Sequence, residues 1–236
     1  MQRQLYVYFT LALSFIVVAV HHIYRGRSRN FEDFHLNDVS KVKIDQSTFI
    51  SKAAVTKEQC KAMIKIAKQN SFGTESEPVD GKPEYQINIL DDGEILHSEL
   101  WKICRNIYKK YKEKDGEDDY MFLKRYKTGE RRALVAHSDA AHYTVSVLLS
   151  SDKSFQGCLF YLFDDKGTEF INKKFAGFDD DDKKSYINSL GDALPIVDFE
   201  QGDVIRFDSR RKHGVTDLQG GERYLLTIFY GTEHSD

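Results

Sequence analysis

The chain has 236 residues and a formal net charge of −3, a size for one domain plus a terminal extension, with enough chain to bury a core without staples. Acids and bases nearly balance, so no global basic field points to nucleic acid as a partner. The three cysteines, Cys60, Cys104 and Cys158, are odd in number and far apart, which excludes a disulfide scaffold, and no CxxC pair marks a structural zinc site.

The first segment differs in kind from the rest. From Gln4 to Tyr24 there is no Asp, Glu, Lys or Arg, and Arg3, Arg25, Arg27 and Arg29 flank the run. A stretch of roughly 20 apolar residues spans a bilayer as a helix, so residues 1–24 read as a membrane anchor, with a cleaved signal peptide as the rival. The larger number of arginines after the segment favours a cytosolic domain, whereas Arg3 inside would place the domain in the lumen. The expectation is a single-pass membrane protein of the endoplasmic reticulum or secretory pathway, with the side left open. Residues 25–42 read as a linker and 43–236 as the folded domain.

Lys43–Ile50 is expected to be a first strand. Thr56 and Gln59 have capping-box spacing, and Cys60, Met63, Ile64 and Ala67 give the following helix one apolar face. Residues 71–83 read as a loop, Tyr85–Leu90 as a strand, and Ile95–Tyr111 as a helix with Leu96, Leu100, Ile103, Ile107 and Tyr111 on one stripe. From Met121 onward the apolar segments MFLKRY, YTVSVLLS, CLFYLF, PIVDF, DVIRFD and RYLLTIFY recur between turn signals. That series predicts a mainly β domain with flanking helices, a sandwich or jelly roll rather than a parallel α/β sheet. The acidic run Asp179–Asp182, within an insertion from Asp164 to Asp192, reads as a solvated loop, since EF-hand ligand spacing is missing.

Chemistry concentrates at His137-Ser138-Asp139. On a strand, residues i and i+2 point the same way, so imidazole and carboxylate can converge on one cation. A third ligand must come from elsewhere. His142 is three residues after Asp139 and needs a tight turn to reach the same ion; His213 follows the strand DVIRFD, and in a jelly roll it falls beside the first strand. Two histidines and one carboxylate with open positions are the ligand set of non-haem iron(II) oxygenases. Arg223 lies ten residues after His213 and opens the strand RYLLTIFY. Alternation puts Arg223, Leu225, Thr227 and Phe229 on one face and Tyr224, Leu226, Ile228 and Tyr230 on the other. An arginine turned inward there requires an anion, and its planar fork suits a carboxylate, with Thr227 one pleat further on able to add a hydroxyl.

These segments, FLKRYKTGERRALVAHSDAAHYTVSVLLSSDKSFQGCLFYLF and DFEQGDVIRFDSRRKHGVTDLQGGERYLLTIFY, resemble the catalytic domain of prolyl 4-hydroxylases and procollagen lysyl hydroxylases. Those enzymes are iron(II)- and 2-oxoglutarate-dependent dioxygenases with a double-stranded β-helix. The resemblance covers about Met121 to Thr232, and FISKAAVTKEQCKAMIKIAK looks like the helix that opens such domains. It implies His137, Asp139 and His213 as iron ligands and Arg223 on the far carboxylate of 2-oxoglutarate, with Tyr126 and Thr227 lining the co-substrate pocket. It further implies O2 and ascorbate as co-reactants, succinate and CO2 as co-products, and a prolyl or lysyl residue of a protein or peptide as target. Arginine at position 223 looks more like the lysyl branch. The chain departs from the pattern at Gly157-Cys158, where the family has a Gly-Gly pair, and near Leu148, where prolyl hydroxylases carry a tyrosine. The branch that dealkylates nucleic acids has a second arginine six residues after the first, where this chain has Phe229. Two other readings of the same residues are a zinc hydrolase using His137, Asp139 and His142 and a non-catalytic β-sandwich binding module.

Overall fold

Apolar residues at alternate positions of the long C-terminal segments fold as strands with one face toward helices and the other toward a second sheet. The computed structural model describes residues 48–114 and 118–232. In chain order the strands are β1 (Phe49–Ser51), β2 (Gln86–Asp91), β3 (Glu94–Ile95), β4 (Asp119–Lys127), β5 (Leu134–His137), β6 (Ala141–Leu148), β7 (Phe155–Gly157), β8 (Phe160–Leu162), β9 (Val204–Asp208), β10 (His213–Val215) and β11 (Leu218–Thr232). The helices are α1 (Lys57–Lys68), α2 (Ser98–Tyr111), α3 (Asp165–Phe175) and α4 (Asp180–Ser189).

An eight-stranded sheet runs β1-β9-β6-β11-β4-β2-β3, with β7 also on β11; a three-stranded sheet runs β5-β10-β8. Every pairing is antiparallel. The central strand β11 carries the alternation expected of it. Tyr224, Leu226, Ile228 and Tyr230 enter a core with Cys60, Met63 and Ala67 of α1 and Leu100, Cys104 and Ile107 of α2. On the opposite face Leu225 joins a second core, with Leu148 and Phe207 of the large sheet and Leu134, Phe160 and Val215 of the small one. The two sheets therefore share an interior, the mainly β architecture with flanking helices that the segment pattern anticipates.

Local rules account for the helix boundaries. Thr56 Oγ1 accepts from Gln59 N at 3.1 Å and Gln59 Oε1 accepts from Thr56 N at 3.0 Å, the capping box read from the sequence. The other helix departs from expectation: it begins at Ser98, not Ile95, with His97 as its cap. A Gly93 turn makes Glu94–Ile95 a short hairpin strand, which leaves Leu96 exposed instead of on the buried stripe. The acidic run is not a loop. Asp179 caps α4 by accepting from Asp182 N at 2.8 Å, and Asp180, Asp181 and Asp182 fill its first turn, where the helix dipole favours negative charge. PIVDF forms no strand; Ile196 makes a single bridge to Tyr161, and Pro195 denies the segment one ladder donor. The three cysteines are free and buried.

The 71–83 segment is a loop, as read, and it is tied down. Asp80 and Arg131 form an ion pair at 2.8 Å whose side chains are only 2% and 1% exposed, and Glu77 pairs with Lys124 of β4. The expected anchor at 1–24, the linker at 25–42 and the start of the first strand lie outside the described residues. Among the described residues no helix is long and apolar enough to cross a membrane. Because Leu226 is fully buried in the helix-facing core, Leu226→Ala is expected to cost about 2–5 kcal/mol and Thr56→Ala about 1 kcal/mol, both measured by urea unfolding.

Candidate active site

Register brings the first two site residues together. His137 ends β5 and His213 begins β10, and they are direct partners across that ladder, with ring centroids 4.4 Å apart. Each ring is fixed the same way: His137 Nδ1 lies 2.9 Å from the Val135 carbonyl and His213 Nδ1 lies 2.9 Å from the Arg211 carbonyl. A carbonyl only accepts, so Nδ1 carries a proton in each ring, and whenever a ring is neutral its Nε2 keeps the lone pair. Both lone pairs face Asp139, with His137 Nε2 3.2 Å from Oδ1 and His213 Nε2 3.3 Å from Oδ2. All three ligand atoms lie within 4.8 Å of one another.

Burial, reinforced by the neighbouring His213, pushes the His137 pKa below the ordinary imidazole value, so that ring is neutral at neutral pH. Burial alone would raise Asp139, but His213 and His137, protonated in the acid range where a carboxyl titrates, hold it well below the usual carboxylate range, so it is ionised at neutral pH. A neutral imidazole and an ionised carboxylate are the protonation states that metal binding requires. Lone pairs converging on one point without a proton between them repel unless a cation occupies that point. The donor set therefore fits a divalent metal, and two nitrogens with one carboxylate oxygen suit iron(II). His142 is exposed and is not among the converging ligands, so the His137/Asp139/His142 set is not the one the fold assembles.

These residues open onto a cavity of about 440 Å³, within the size range of small-molecule sites. Its wall includes Tyr126, Leu225, Thr227 and Phe229, as well as His137, Asp139 and His213. Tyr126 and Thr227 therefore line the same cavity as the trio. Thr227 pairs across the sheet with Ser146, whose hydroxyl lies 3.5 Å away. Beyond them Tyr120, Phe122 and Phe229 form an aromatic shelf, with ring centroids 5.2 to 6.2 Å apart. The loop contributes Glu77, Pro78 and Val79 to the wall.

Arg223 sits one pleat beyond Leu225 and pairs with Tyr126. It is 1% exposed, and the rings of Tyr126, Phe155 and Phe199 lie 5.7 to 6.0 Å from its guanidinium carbon. Its Nε and Nη1 are buried with no hydrogen-bond partner among the described residues. Unpaired donors on a buried cation are costly, and an anion is the partner that satisfies them. The Cys158 thiol packs against this guanidinium; burial pushes its pKa up to about 11, with Arg223 pulling the other way.

The Gly157-Cys158 departure has a backbone consequence. Both residues are left-handed, at φ +71° and +53°. A Cβ on Gly157 would come within 2.4 Å of the Asp217 carbonyl oxygen, so position 157 requires glycine. Cys158 holds a conformation that costs a side-chain-bearing residue about 1–2 kcal/mol, relieved if a second glycine stood there.

Sequence reasoning missed Thr144, Ser209, Lys124 and Glu77. No motif marks them; they reach the site only through strand register and through the pinned loop.

No protein-family model matches the sequence, and no curated protein matches it. By structure the chain is similar to HygX from Streptomyces hygroscopicus, solved with nickel and 2-oxoglutarate bound, at 12% identity and TM-score 0.53, covering 88% of this chain and 89% of that one. It also matches the viral collagen prolyl hydroxylase of Paramecium Bursaria Chlorella virus-1, at 12% identity, TM-score 0.49 and coverage of 80% and 98%. A Pseudomonas putida prolyl-4-hydroxylase matches at 12% identity, TM-score 0.48 and coverage of 84% and 97%. At this identity the HygX likeness establishes the shared fold.

Because Nε and Nη1 of the buried Arg223 have no partner among the described residues, Arg223→Met is expected to raise the melting temperature of the ligand-free protein, by about 1 kcal/mol or more of stability. Differential scanning calorimetry checks the sign; a lower melting temperature would mean that the guanidinium is already satisfied.

Proposed function

We propose that the chain is an iron(II)- and 2-oxoglutarate-dependent dioxygenase that hydroxylates a C–H bond. The observation that carries this reading is the convergence of two carbonyl-fixed imidazole lone pairs on an ionised carboxylate. The unsatisfied donors of Arg223 add the second element, a buried cation on the sheet face that lines the same cavity.

In this reading His137, Asp139 and His213 hold the metal, and Arg223 holds the distal carboxylate of the co-substrate. Iron(II), when bound, supplies the redox chemistry of dioxygen. The balanced reaction is R–H + 2-oxoglutarate + O2 → R–OH + succinate + CO2. The protein's residues position and exclude. The carbonyls of Val135 and Arg211 keep both Nε2 atoms free for the metal. Leu225 and Phe160 give the cavity apolar walls that keep water from the reacting centre, and Thr227 offers a hydroxyl beside the co-substrate.

We further propose a prolyl or lysyl residue of a protein or peptide as the target, with ascorbate as supporting reductant. The support is the resemblance over Met121–Thr232, together with the aromatic shelf of Tyr120, Phe122 and Phe229, whose ring faces suit an aliphatic side chain. The apolar stretch Gln4–Tyr24 supports attachment to a membrane of the secretory pathway.

The test is succinate release from 2-oxoglutarate with iron(II), comparing wild type with His137→Ala. Wild type is expected to release succinate even without added substrate, and proline- or lysine-containing peptides are expected to accelerate it. His137→Ala should fall to the background of iron alone. Equal behaviour of the two proteins would remove the dioxygenase reading.

A further inference from the structure

Asp139 is held by more than its two histidine neighbours. Its Oδ2 accepts from Thr144 Oγ1 at 2.6 Å, and Thr144 Oγ1 lies 2.8 Å from Ser209 Oγ. Ser209 is engaged a second time, because its backbone carbonyl accepts from Asp139 N at 2.9 Å. Thr144 and Ser209 are 1% and 0% exposed. The two come from adjacent parts of one sheet: Thr144 lies on β6, opposite Phe207 of β9, and Ser209 follows β9 by one residue.

Proton counting fixes the direction of this chain. An ionised carboxylate only accepts, so Thr144 spends its single proton on Asp139. Ser209 must then be the donor to Thr144. The order Ser209→Thr144→Asp139 polarises each link toward the carboxylate. It also occupies a lone pair of Oδ2, which biases the carboxylate toward presenting a single oxygen to a cation. That matters for a site that must keep positions open for other ligands.

We propose that Thr144, oriented by Ser209, is a positioning residue that sets the orientation and binding mode of the metal-bearing carboxylate. This rests on the metal-site reading above and extends it to residues that act on the metal through Asp139. Thr144 acts through Asp139, and removing its hydroxyl leaves the carboxylate free to rotate about its side-chain bonds and to chelate through both oxygens.

The experiment is calorimetric titration of Co(II), a probe that needs no turnover, into full-length wild type, Thr144→Val, Thr144→Ser and Ser209→Ala, with visible spectra of the Co(II)-loaded proteins. Thr144→Val keeps the side-chain shape and is expected to weaken Co(II) binding about 10- to 100-fold, the usual effect of losing an outer partner of a ligand, and to shift the Co(II) absorption bands. Thr144→Ser should restore both affinity and spectrum, and Ser209→Ala should fall between. Wild-type affinity and spectrum in Thr144→Val would overturn the proposal. So would a weakening that Thr144→Ser fails to rescue, since that marks a packing role for the methyl group. If Thr144→Val does not fold, Ser209→Ala decides: an unchanged Co(II) spectrum and affinity there overturns the relay. If wild type binds no Co(II), the metal-site reading itself fails, an outcome distinct from wild type and Thr144→Val binding alike.

Discussion

The Val135 and Arg211 carbonyls each accept a hydrogen bond from Nδ1 of the histidine two residues further on, at 2.9 Å in both cases. These two hydrogen bonds decide which nitrogen of each ring is free, and so decide that the free nitrogens face Asp139. They depend in turn on the β5–β10 ladder, because only the His137–His213 register puts the rings side by side. A slip of one residue in that ladder would turn one imidazole to the other face. The small sheet is thus the rigid element behind the site, and the large sheet supplies what faces it across the cavity.

On the large sheet the same pleat separates two tasks. One face of β11 packs against α1 and α2 through Tyr224, Leu226, Ile228 and Tyr230. The other presents Leu225, Thr227 and Phe229 to the cavity and, one pleat earlier, buries Arg223. Burying a guanidinium with unsatisfied donors lowers the stability of the ligand-free fold, and an anion bound there, as proposed, would return that energy by satisfying them. The same strand therefore stabilises the fold with one face and carries a buried, partly unsatisfied cation on the other. The left-handed Cys158 thiol against Arg223 adds a second local cost in the same place.

Much of this is legible in the sequence, and the reasons are local. Alternation alone sorts the faces of β11, and capping-box spacing alone starts α1. His137 and Asp139 can be paired from their spacing, and His213 can be chosen over His142 because it follows a strand, which the β5–β10 pairing accounts for. What the sequence does not carry is long-range register. Thr144 and Ser209 stand 65 positions apart and meet only because β6 pairs with β9. Lys124 of β4 meets Glu77 across a loop held by the Asp80–Arg131 pair and by a backbone bridge to β2. The acidic run misleads for a different reason: four aspartates look like solvated loop, yet the first caps α4 and the next three sit where the helix dipole favours them. PIVDF misleads because apolar content alone does not distinguish a buried coil from a paired strand.

The central claim is that the His137–Asp139–His213 trio and Arg223 are two ends of one co-substrate site. It is tested most directly by titrating 2-oxoglutarate into Co(II)-loaded and metal-free protein. The account predicts saturable one-to-one binding to the loaded protein, at least about tenfold weaker binding without metal, which corresponds to about 1.4 kcal/mol, and loss of binding in Arg223→Met despite intact Co(II) uptake. Binding that ignores both the metal and Arg223 would contradict it.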